Sequence, residues 1–250
     1  IIRSAEAALQ RALTQLEPGE NWLVEPRQLD DAGLLWRPGV KLGVKPGSWS
    51  HQHEWFGPVL AVMEAPNFDT AITWQNQTDF GLTAGIQSLD EKECEAWINR
   101  VEAGNLYVNR GITGAIVNRQ PFGGWKRSAV GPNAKAGGLN YVNTLRNWSR
   151  VTNLEAAIFG VNTWWSKVGS QAIDRTGLVV EKNYQRYRHY LAPIVVVVDE
   201  STTQAEKSLI HYISEKTGAK VIFTTDINDV TEMYSRVRWL ASSKPPVYEL

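Results

Sequence analysis

The sequence predicts an α/β fold, because short apolar runs alternate with helical patterns along most of the chain. The order strand, helix, strand occurs over residues 82–109 and again over residues 194–224. Parallel strands need a helical crossover between them, so this alternation indicates parallel sheets. We place a boundary after about residue 150, which gives two predicted domains, 1–150 and 151–250.

The chain is expected to open in or near an amphipathic helix that ends at Pro18-Gly19. Its apolar residues recur at helical spacing, and they are Ala5, Ala8, Leu9, Ala12, Leu13 and Leu16. Because Ile1 stands where methionine is usual, we expect a fragment of a longer protein, with a removed leader or tag as the alternative.

Apolar runs bounded by turns predict the strands of the first domain. These runs are residues 22–24, 34–36, 40–44, 59–63, 82–87 and 105–109. Residues 67–75 are predicted to form a short helix. Ser88 and Glu91 have the spacing of a capping box, which would open a second helix that runs to about Glu102 and stops before Gly104.

The second domain is predicted to be a C-terminal Rossmann-like βαβ domain. It consists of a strand over 194–198, a helix over 203–217, a strand over 220–224 and a last helix over 230–241. Asp199 and Glu200 follow the first strand where a phosphate-binding turn would be rich in glycine, and two acids repel a phosphate. A structural role is therefore favoured, and nucleotide binding by residues 190–250 is the alternative.

Composition excludes several classes of function. The chain has 250 residues, 43% of them hydrophobic and 21% charged, and 26 basic residues balance 26 acidic ones. This balance gives no basic face for nucleic acid or an anionic membrane. Apolar runs such as 194–198 are far shorter than the roughly 20 residues of a transmembrane helix. A single cysteine excludes an internal disulfide framework, and we expect a cytoplasmic protein.

The lone thiol and the paired histidines favour structural roles over chemistry. Cys94 lies on the apolar stripe of its helix with Trp97, Ile98 and Val101, without a nearby histidine or helix N-terminus to form the thiolate. His51 and His53 could share a metal ion, but no third ligand is apparent, so we interpret them as surface histidines and predict no metal site. The 11 tryptophans are scattered along the chain, which favours core packing.

The segment "HEWFGPV", residues 53–59, places an acid and an aromatic ring at a tight turn before a strand. The Glu54 carboxylate can accept hydrogen bonds from two vicinal ribose hydroxyls, and the Phe56 ring can cover one face of a nicotinamide. An exposed turn with an incidental acid is the alternative. The segment "RQPFGGWKRSAVG", residues 119–131, is predicted to be a shaped loop, because paired glycines let the backbone approach a neighbour or a ligand.

Four segments together resemble the C-terminal half of the catalytic region of aldehyde dehydrogenases. In chain order they are "EWFGPVLAV", "DFGLTAGIQS", "GNLYVNR" and "QPFGGWKRS". With "LEPGENWLVEPR", residues 10–145 most resemble the glutamate-semialdehyde (pyrroline-5-carboxylate) dehydrogenases. The segment "EKNYQRYRHYL" is similar to the tail of bifunctional proline utilization A proteins, which carry a proline dehydrogenase upstream.

The resemblance implies a role for five residues. Glu54 would bind the ribose of NAD, and Phe56 would pack near the nicotinamide. The backbone N–H groups of Gly114 and Ala115 would hold the α-carboxylate of the substrate, and a nest of N–H donors suits an anion. Phe122 would line the aldehyde pocket. The loop is then shaped around a small acidic aldehyde.

The chain departs from this family in two respects. Such enzymes attack the aldehyde with a cysteine thiolate upstream of "EWFGP", and this chain has no cysteine before residue 54. The upstream NAD-binding sheet is also absent, so we predict no catalytic residue, no tightly bound NAD and no activity for the chain alone. The predicted partners are the remainder of a parent dehydrogenase, its small-molecule substrate and a homo-oligomer, to which the loop after Gly131 would contribute. A non-catalytic lid, an oligomerisation module or a pseudoenzyme is the alternative.

Overall fold

The computed structural model describes residues 5–116, 119–129, 134–147, 153–243 and 245. The chain divides into two compact units, Ile1–Thr144 and Leu145–Leu250, each with its own buried cluster. Helices and strands alternate in both units, which confirms the predicted α/β class. The loop after Gly131 lies outside the described residues up to position 133.

The first unit opens with helix α1, Ala7–Thr14, which buries Leu9, Ala12 and Leu13 as predicted. The helix ends earlier than the sequence suggested, because Gln15 is extended at φ −124° and ψ 148°. The Gln15 carbonyl instead accepts a hydrogen bond from Lys41 Nζ at 2.7 Å.

A three-stranded sheet follows, in the order β1-β4-β5. Its strands are β1, Asn21–Val24, β4, Gly39–Leu42, and β5, Val59–Ala61, with β1 antiparallel and β5 parallel to β4. Strands β2, Arg27–Gln28, and β3, Trp36–Arg37, form a separate two-stranded ladder, so the strand predicted over 34–36 begins only at its last residue. The one-turn helix α2, Trp49–Gln52, precedes β5.

The rest of the first unit contains a βαβ crossover. Its elements are α3, Phe68–Asn76, β6, Phe80–Gly81, β7, Thr83–Ile86, α4, Glu91–Arg100, β8, Asn105–Val108, and β9, Trp125–Lys126. Strands β7 and β8 are parallel and α4 connects them, whereas β6 and β9 are antiparallel. Trp97 and Val101 of α4 pack with Ile72 and Ala84 in the core of this unit.

The predicted capping box at Ser88 and Glu91 is wrong. Asp90 caps α4 by accepting a hydrogen bond from the Lys92 N–H, whereas the Ser88 hydroxyl donates to the Glu93 carboxylate at 2.6 Å. The Ser88 main chain exchanges two hydrogen bonds with the Asn109 side chain, at 2.9 and 2.8 Å, which ties the residue to the end of β8. Cys94 is half-buried, with Sγ 3.7 Å from the Ser88 carbonyl oxygen.

The second unit begins with helix α5, Leu154–Trp164, a π-helical turn at Trp165–Gly169 and the antiparallel pair β10, Ile173–Asp174, and β11, Tyr184–Gln185. A three-stranded parallel sheet follows, in the order β13-β12-β14. Its elements are β12, Ile194–Val197, α6, Gln204–Thr217, β13, Val221–Thr224, and β14, Arg236–Trp239. Short 3-10 turns occur at Tyr141–Leu145 and Ile227–Asp229.

The helix predicted over 230–241 is wrong, because residues 236–239 form β14. Val237 and Trp239 alternate along the strand and pack against the buried cluster of the second unit, which is the two-residue period of a strand. The strand also pairs with the second edge of β12, whose N–H and C=O groups need partners when buried. The apolar residues of 230–241 that suggest a helix therefore include those of strand β14.

Candidate active-site loops

The segment that contains Glu54 and Phe56 is held by a stack of aromatic rings. Trp49 stacks on Trp55 with ring centroids 5.2 Å apart and on His53 with centroids 5.1 Å apart. Glu54 and Phe56, the residues in alternate positions, are exposed, and the Phe56 ring is 85% exposed. Because alternate residues of an extended segment face opposite sides, the stack leaves the predicted cofactor residues directed away from it.

A buried ion pair lies beneath the stack. Lys41 Nζ is 3.4 Å from Glu20 Oε2, and each of the two side chains is 1% exposed. The ammonium also lies 5.1 Å from the Trp22 ring and 5.7 Å from the Trp55 ring, within cation–π range. Burial alone would raise the pKa of Glu20, but hydrogen bonds and the charge of Lys41 outweigh it and lower that pKa below its usual range.

The flanks of Phe56 are fixed by close packing. A Cβ added to Gly57 would lie 2.1 Å from Leu9 Cδ1, so any side chain at position 57 would displace Leu9 of α1. The Trp55 indole N–H donates to the Val59 carbonyl at 3.3 Å, and the Arg11 guanidinium covers the Trp49 ring at 4.2 Å. The exposed Phe56 ring therefore sits between two anchored neighbours.

The predicted carboxylate-binding residues lie in the loop after β8. Asn109 turns the chain with φ 56°, and Gly114 has φ 81° in the left-handed region. Gly114 and Ala115 are exposed, and among the described residues no atom beyond the adjacent positions lies within 4 Å of a Cβ placed on Gly114. The space beside this backbone is open, as an approaching anion requires.

Phe122, the predicted wall of the aldehyde pocket, is half-buried and paired with Ala136. Its N–H donates to the Ala136 carbonyl at 3.0 Å, and its carbonyl accepts from the Ala136 N–H at 2.9 Å. A single antiparallel bridge thus fixes the main chain at Phe122.

A half-buried lysine links this loop to the start of β8. Lys135 Nζ donates to the carbonyls of Gly104 and Gly123 at 2.6 and 2.7 Å and to Asn105 Oδ1 at 3.0 Å. Asn105 in turn donates from Nδ2 to the Pro121 carbonyl and accepts from the Gly123 N–H, each at 3.2 Å. Burial lowers the pKa of Lys135 to about 8. We call Lys135, Asn105 and their loop contacts the lysine clamp.

One cleft of the first unit, bordered by α3, is separate from these loops. It has a volume of about 510 Å³, and none of the five predicted site residues lines it. His51 lies at its edge, with Nδ1 accepting from the Gly47 N–H at 2.9 Å and Nε2 3.0 Å from the Trp74 carbonyl. His51 is therefore half-buried with a structural role, which differs from the predicted surface position. Among the described residues, no cluster of histidine, cysteine or acidic side chains could hold a metal ion.

In the second unit, the carboxyl ends of β12 and β14 are joined by Asp199. One carboxylate oxygen accepts from the N–H and hydroxyl of Ser201, and the other accepts from the N–H and hydroxyl of Ser242 at 2.6 Å each. Hydrogen bonds from Ser201 and Ser242 hold the pKa of Asp199 well below its usual range. Asp199 therefore links two strands at the carboxyl end of the parallel sheet, where nucleotide-binding α/β folds hold a phosphate.

Comparison with known proteins decides the family. The sequence profile of the aldehyde dehydrogenase family matches residues 3–150. The chain belongs to the aldehyde dehydrogenase family. Over 140 residues, 55% of this chain, it is 39% identical to a 1-pyrroline-5-carboxylate dehydrogenase from Geobacillus sp. (strain WCH70), of which it covers 27%.

Further relatives agree with this assignment. The chain is 40% identical over 138 residues to the 1-pyrroline-5-carboxylate dehydrogenase of Geobacillus kaustophilus. This match covers 54% of this chain and 26% of the relative. The structure of proline utilization A from Corynebacterium freiburgense matches 98% of this chain with a TM-score of 0.86 and 41% identity, and the match covers 27% of that protein. The chain thus spans about a quarter of the length of these aldehyde dehydrogenase relatives. In the described residues, no helix is long and apolar enough to cross a membrane.

The residues that support the two loops were not identified from the sequence. Trp49, His53 and Trp55 are close in sequence, and their spacing could have indicated a stack beside the acid. Lys41 and Lys135 gave no signal, because an isolated lysine is most often a solvated side chain. Only the tertiary fold shows that both are buried or half-buried.

Proposed function

We propose that this chain is the C-terminal part of an NAD-dependent dehydrogenase that oxidises L-glutamate γ-semialdehyde, the open-chain form of pyrroline-5-carboxylate, to glutamate in proline catabolism. The observation that carries the proposal is the 98% coverage by proline utilization A, joined to relatives named 1-pyrroline-5-carboxylate dehydrogenase. The parent protein would carry proline dehydrogenase upstream and would act in the cytoplasm as a homo-oligomer.

The Glu54 loop fits the ribose and nicotinamide of NAD. The Glu54 carboxylate is exposed and can accept from two vicinal hydroxyls, and the neighbouring Phe56 ring offers an open apolar face. Bound NAD would supply the hydride acceptor for the oxidation. The role of this chain is to hold and orient that group, since the aromatic stack fixes the segment that carries both residues.

The two other loops fit the substrate. Gly114 and Ala115 offer main-chain N–H groups beside open space, which suits the α-carboxylate of an amino acid. Phe122 would form the wall that excludes water from the aldehyde carbon. Together these residues select an aldehyde that carries an acidic end.

The chain alone should not oxidise aldehydes. Its single cysteine, Cys94, is half-buried in α4, and no other thiol is available to form the thiohemiacetal. The nucleophile and most of the NAD site would come from the remainder of the parent chain, so tight NAD binding by this chain is not expected either.

The test compares the complete protein that contains this chain with the 250-residue chain itself. NADH formation from L-glutamate γ-semialdehyde is followed by absorbance, with a short uncharged aldehyde as the comparison substrate. We expect enzyme-like turnover by the complete protein and none by the chain alone. A complete protein that folds and binds NAD without turnover would favour the alternative, a pseudoenzyme or a non-catalytic lid or oligomerisation module.

A further inference from the structure

We propose that Lys135 is a positioning residue that fixes Phe122 and thereby sets the selectivity of the aldehyde pocket. The inference rests on the proposed function, because it takes Phe122 as a wall of that pocket. Its geometric basis does not depend on that function, because the lysine clamp holds the main chain on both sides of Phe122.

The clamp acts on three consecutive residues. Asn105 Nδ2 holds the Pro121 carbonyl, and Ala136, the neighbour of Lys135, pairs with both main-chain groups of Phe122. Lys135 Nζ holds the Gly123 carbonyl at 2.7 Å. The peptide groups before and after the ring therefore have fixed partners, which restricts the direction of the Phe122 side chain.

The other end of the clamp is rigid. Lys135 also donates to the Gly104 carbonyl and to Asn105 Oδ1, at the start of β8. Strand β8 pairs with β7 over four residues, and Asn105 is buried. A Cβ added to Gly104 would lie 1.9 Å from the Gly123 carbonyl oxygen, so loop and strand are in direct contact. A site that is attached to a paired strand holds its geometry better than a site on a free loop.

A lysine suits this position chemically. An ammonium carries three donors, and the three acceptors around Lys135 Nζ are two main-chain carbonyls and one side-chain amide oxygen. Methionine fills a similar volume but donates nothing, so Lys135→Met would leave these oxygens without the ammonium and release the loop from β8. A displacement of about 1 Å at a positioned group can reduce a rate by about 100-fold.

The experiment measures selectivity in the complete protein. The readout is kcat/KM for L-glutamate γ-semialdehyde divided by kcat/KM for propanal, a short uncharged aldehyde. We expect Lys135→Met to lower this ratio by about 10- to 100-fold, with KM for NAD unchanged. The ratio does not depend on the concentration of folded enzyme, so partial unfolding does not imitate the effect. An unchanged ratio would overturn the proposal.

Lys126→Met is the matched control. Lys126 also donates to two main-chain carbonyls, those of Asn76 and of Thr78 at 3.1 Å, and pairs with Glu102, but it makes none of the clamp contacts. We expect this variant to leave the ratio unchanged. An equal fall in both variants would mean that any loss of loop stability alters selectivity, and would remove the specific role of Lys135.

A second measurement separates this proposal from the proposed function. Hydrogen exchange at the amides of Phe122 and Gly123, followed by NMR on the 250-residue chain, should be about tenfold faster or more in Lys135→Met. Asn105→Leu, which removes the acceptor for Lys135 and Gly123 and the donor to Pro121, should raise exchange as well and serves if Lys135→Met does not fold. If the wild-type complete protein shows no turnover, the proposed function is contradicted and the role of the clamp is not. If hydrogen exchange is unchanged in the variants, the role of the clamp is contradicted and the proposed function is not.

Discussion

Two loops of the first unit present a phenylalanine followed by glycine, and they are supported in opposite ways. Phe56 is 85% exposed, and its neighbour Trp55 belongs to an aromatic stack that lies beside a buried ion pair. Phe122 is half-buried, its main chain pairs with Ala136, and the carbonyl of the next residue, Gly123, accepts from Lys135 Nζ. The first arrangement leaves the Phe56 ring open, as the proposed contact with the nicotinamide requires, and the second fixes the residue that we propose as a wall of the aldehyde pocket. Damage to the two supports should therefore affect different ligands.

The largest effect is expected from breaking the ion pair beneath the first loop. Lys41→Met leaves the Glu20 carboxylate buried without its cation, and removal of one partner of a buried pair costs about 3–5 kcal/mol. Urea denaturation of the 250-residue chain would measure the loss in the free energy of unfolding. Lys45→Met, at an exposed position in the same segment, is the control and should change stability by less than about 0.5 kcal/mol.

A double variant sharpens this prediction. Lys41→Met combined with Glu20→Gln removes both charges, and we expect it to be more stable than Lys41→Met alone, because no uncompensated charge stays buried. If the double variant is no more stable than Lys41→Met alone, the cost lies in the lost contacts of Lys41 with Trp22 and Trp55, and the ion pair has no role of its own.

Trp49→Ala should have a smaller effect on stability and a selective effect on binding. The variant loses two ring stacks and the Arg11 contact, about 1–3 kcal/mol in total. In the complete protein, calorimetry should show weaker NAD binding, while the selectivity ratio between aldehydes stays unchanged. Lys135→Met should show the reverse pattern. If Trp49→Ala alters the aldehyde ratio as strongly as Lys135→Met does, the two loops are not independent.

The sequence predicts local elements well where their signals lie within one segment. The run 194–198 and the helix over 203–217 were predicted, and the structure confirms them as β12 and α6, the latter closed by a capping box at Thr203 and by Gly218 in the left-handed region. The strand and helix around the crossover of the first unit were also predicted to within a few residues. These elements carry their periodicity and end signals in adjacent residues.

Elements that depend on distant partners were not predicted. Residues 236–239 become a strand because β12 has an open edge, and nothing within 230–241 encodes that edge. Lys135 is part of a clamp only because the chain returns to Asn105, 30 residues earlier. The residue pattern and the family resemblance both indicated Glu54 and Phe56, the resemblance indicated Gly114, Ala115 and Phe122, and only the fold showed the residues that support them. A sequence pattern can thus nominate a contact residue more readily than the groups that position it.

The charge of the clamp gives the last and smallest expected effect. Burial lowers the pKa of Lys135 to about 8, whereas an unfolded lysine titrates near 10.4. Between these values the unfolded chain binds more protons than the folded chain, so the contribution of Lys135 to stability rises as pH rises. Below pH 8 both states are protonated, and the contribution is constant.

Urea denaturation of wild type and Lys135→Met from pH 7 to 10 isolates this group, because all other titrations cancel in the difference. The stability of wild type relative to the variant should increase above pH 8, by at most about 1.4 kcal/mol per pH unit. A difference that falls with pH would mean that the three acceptors favour the ammonium more than burial opposes it, and the clamp would then be a charge-dependent contact.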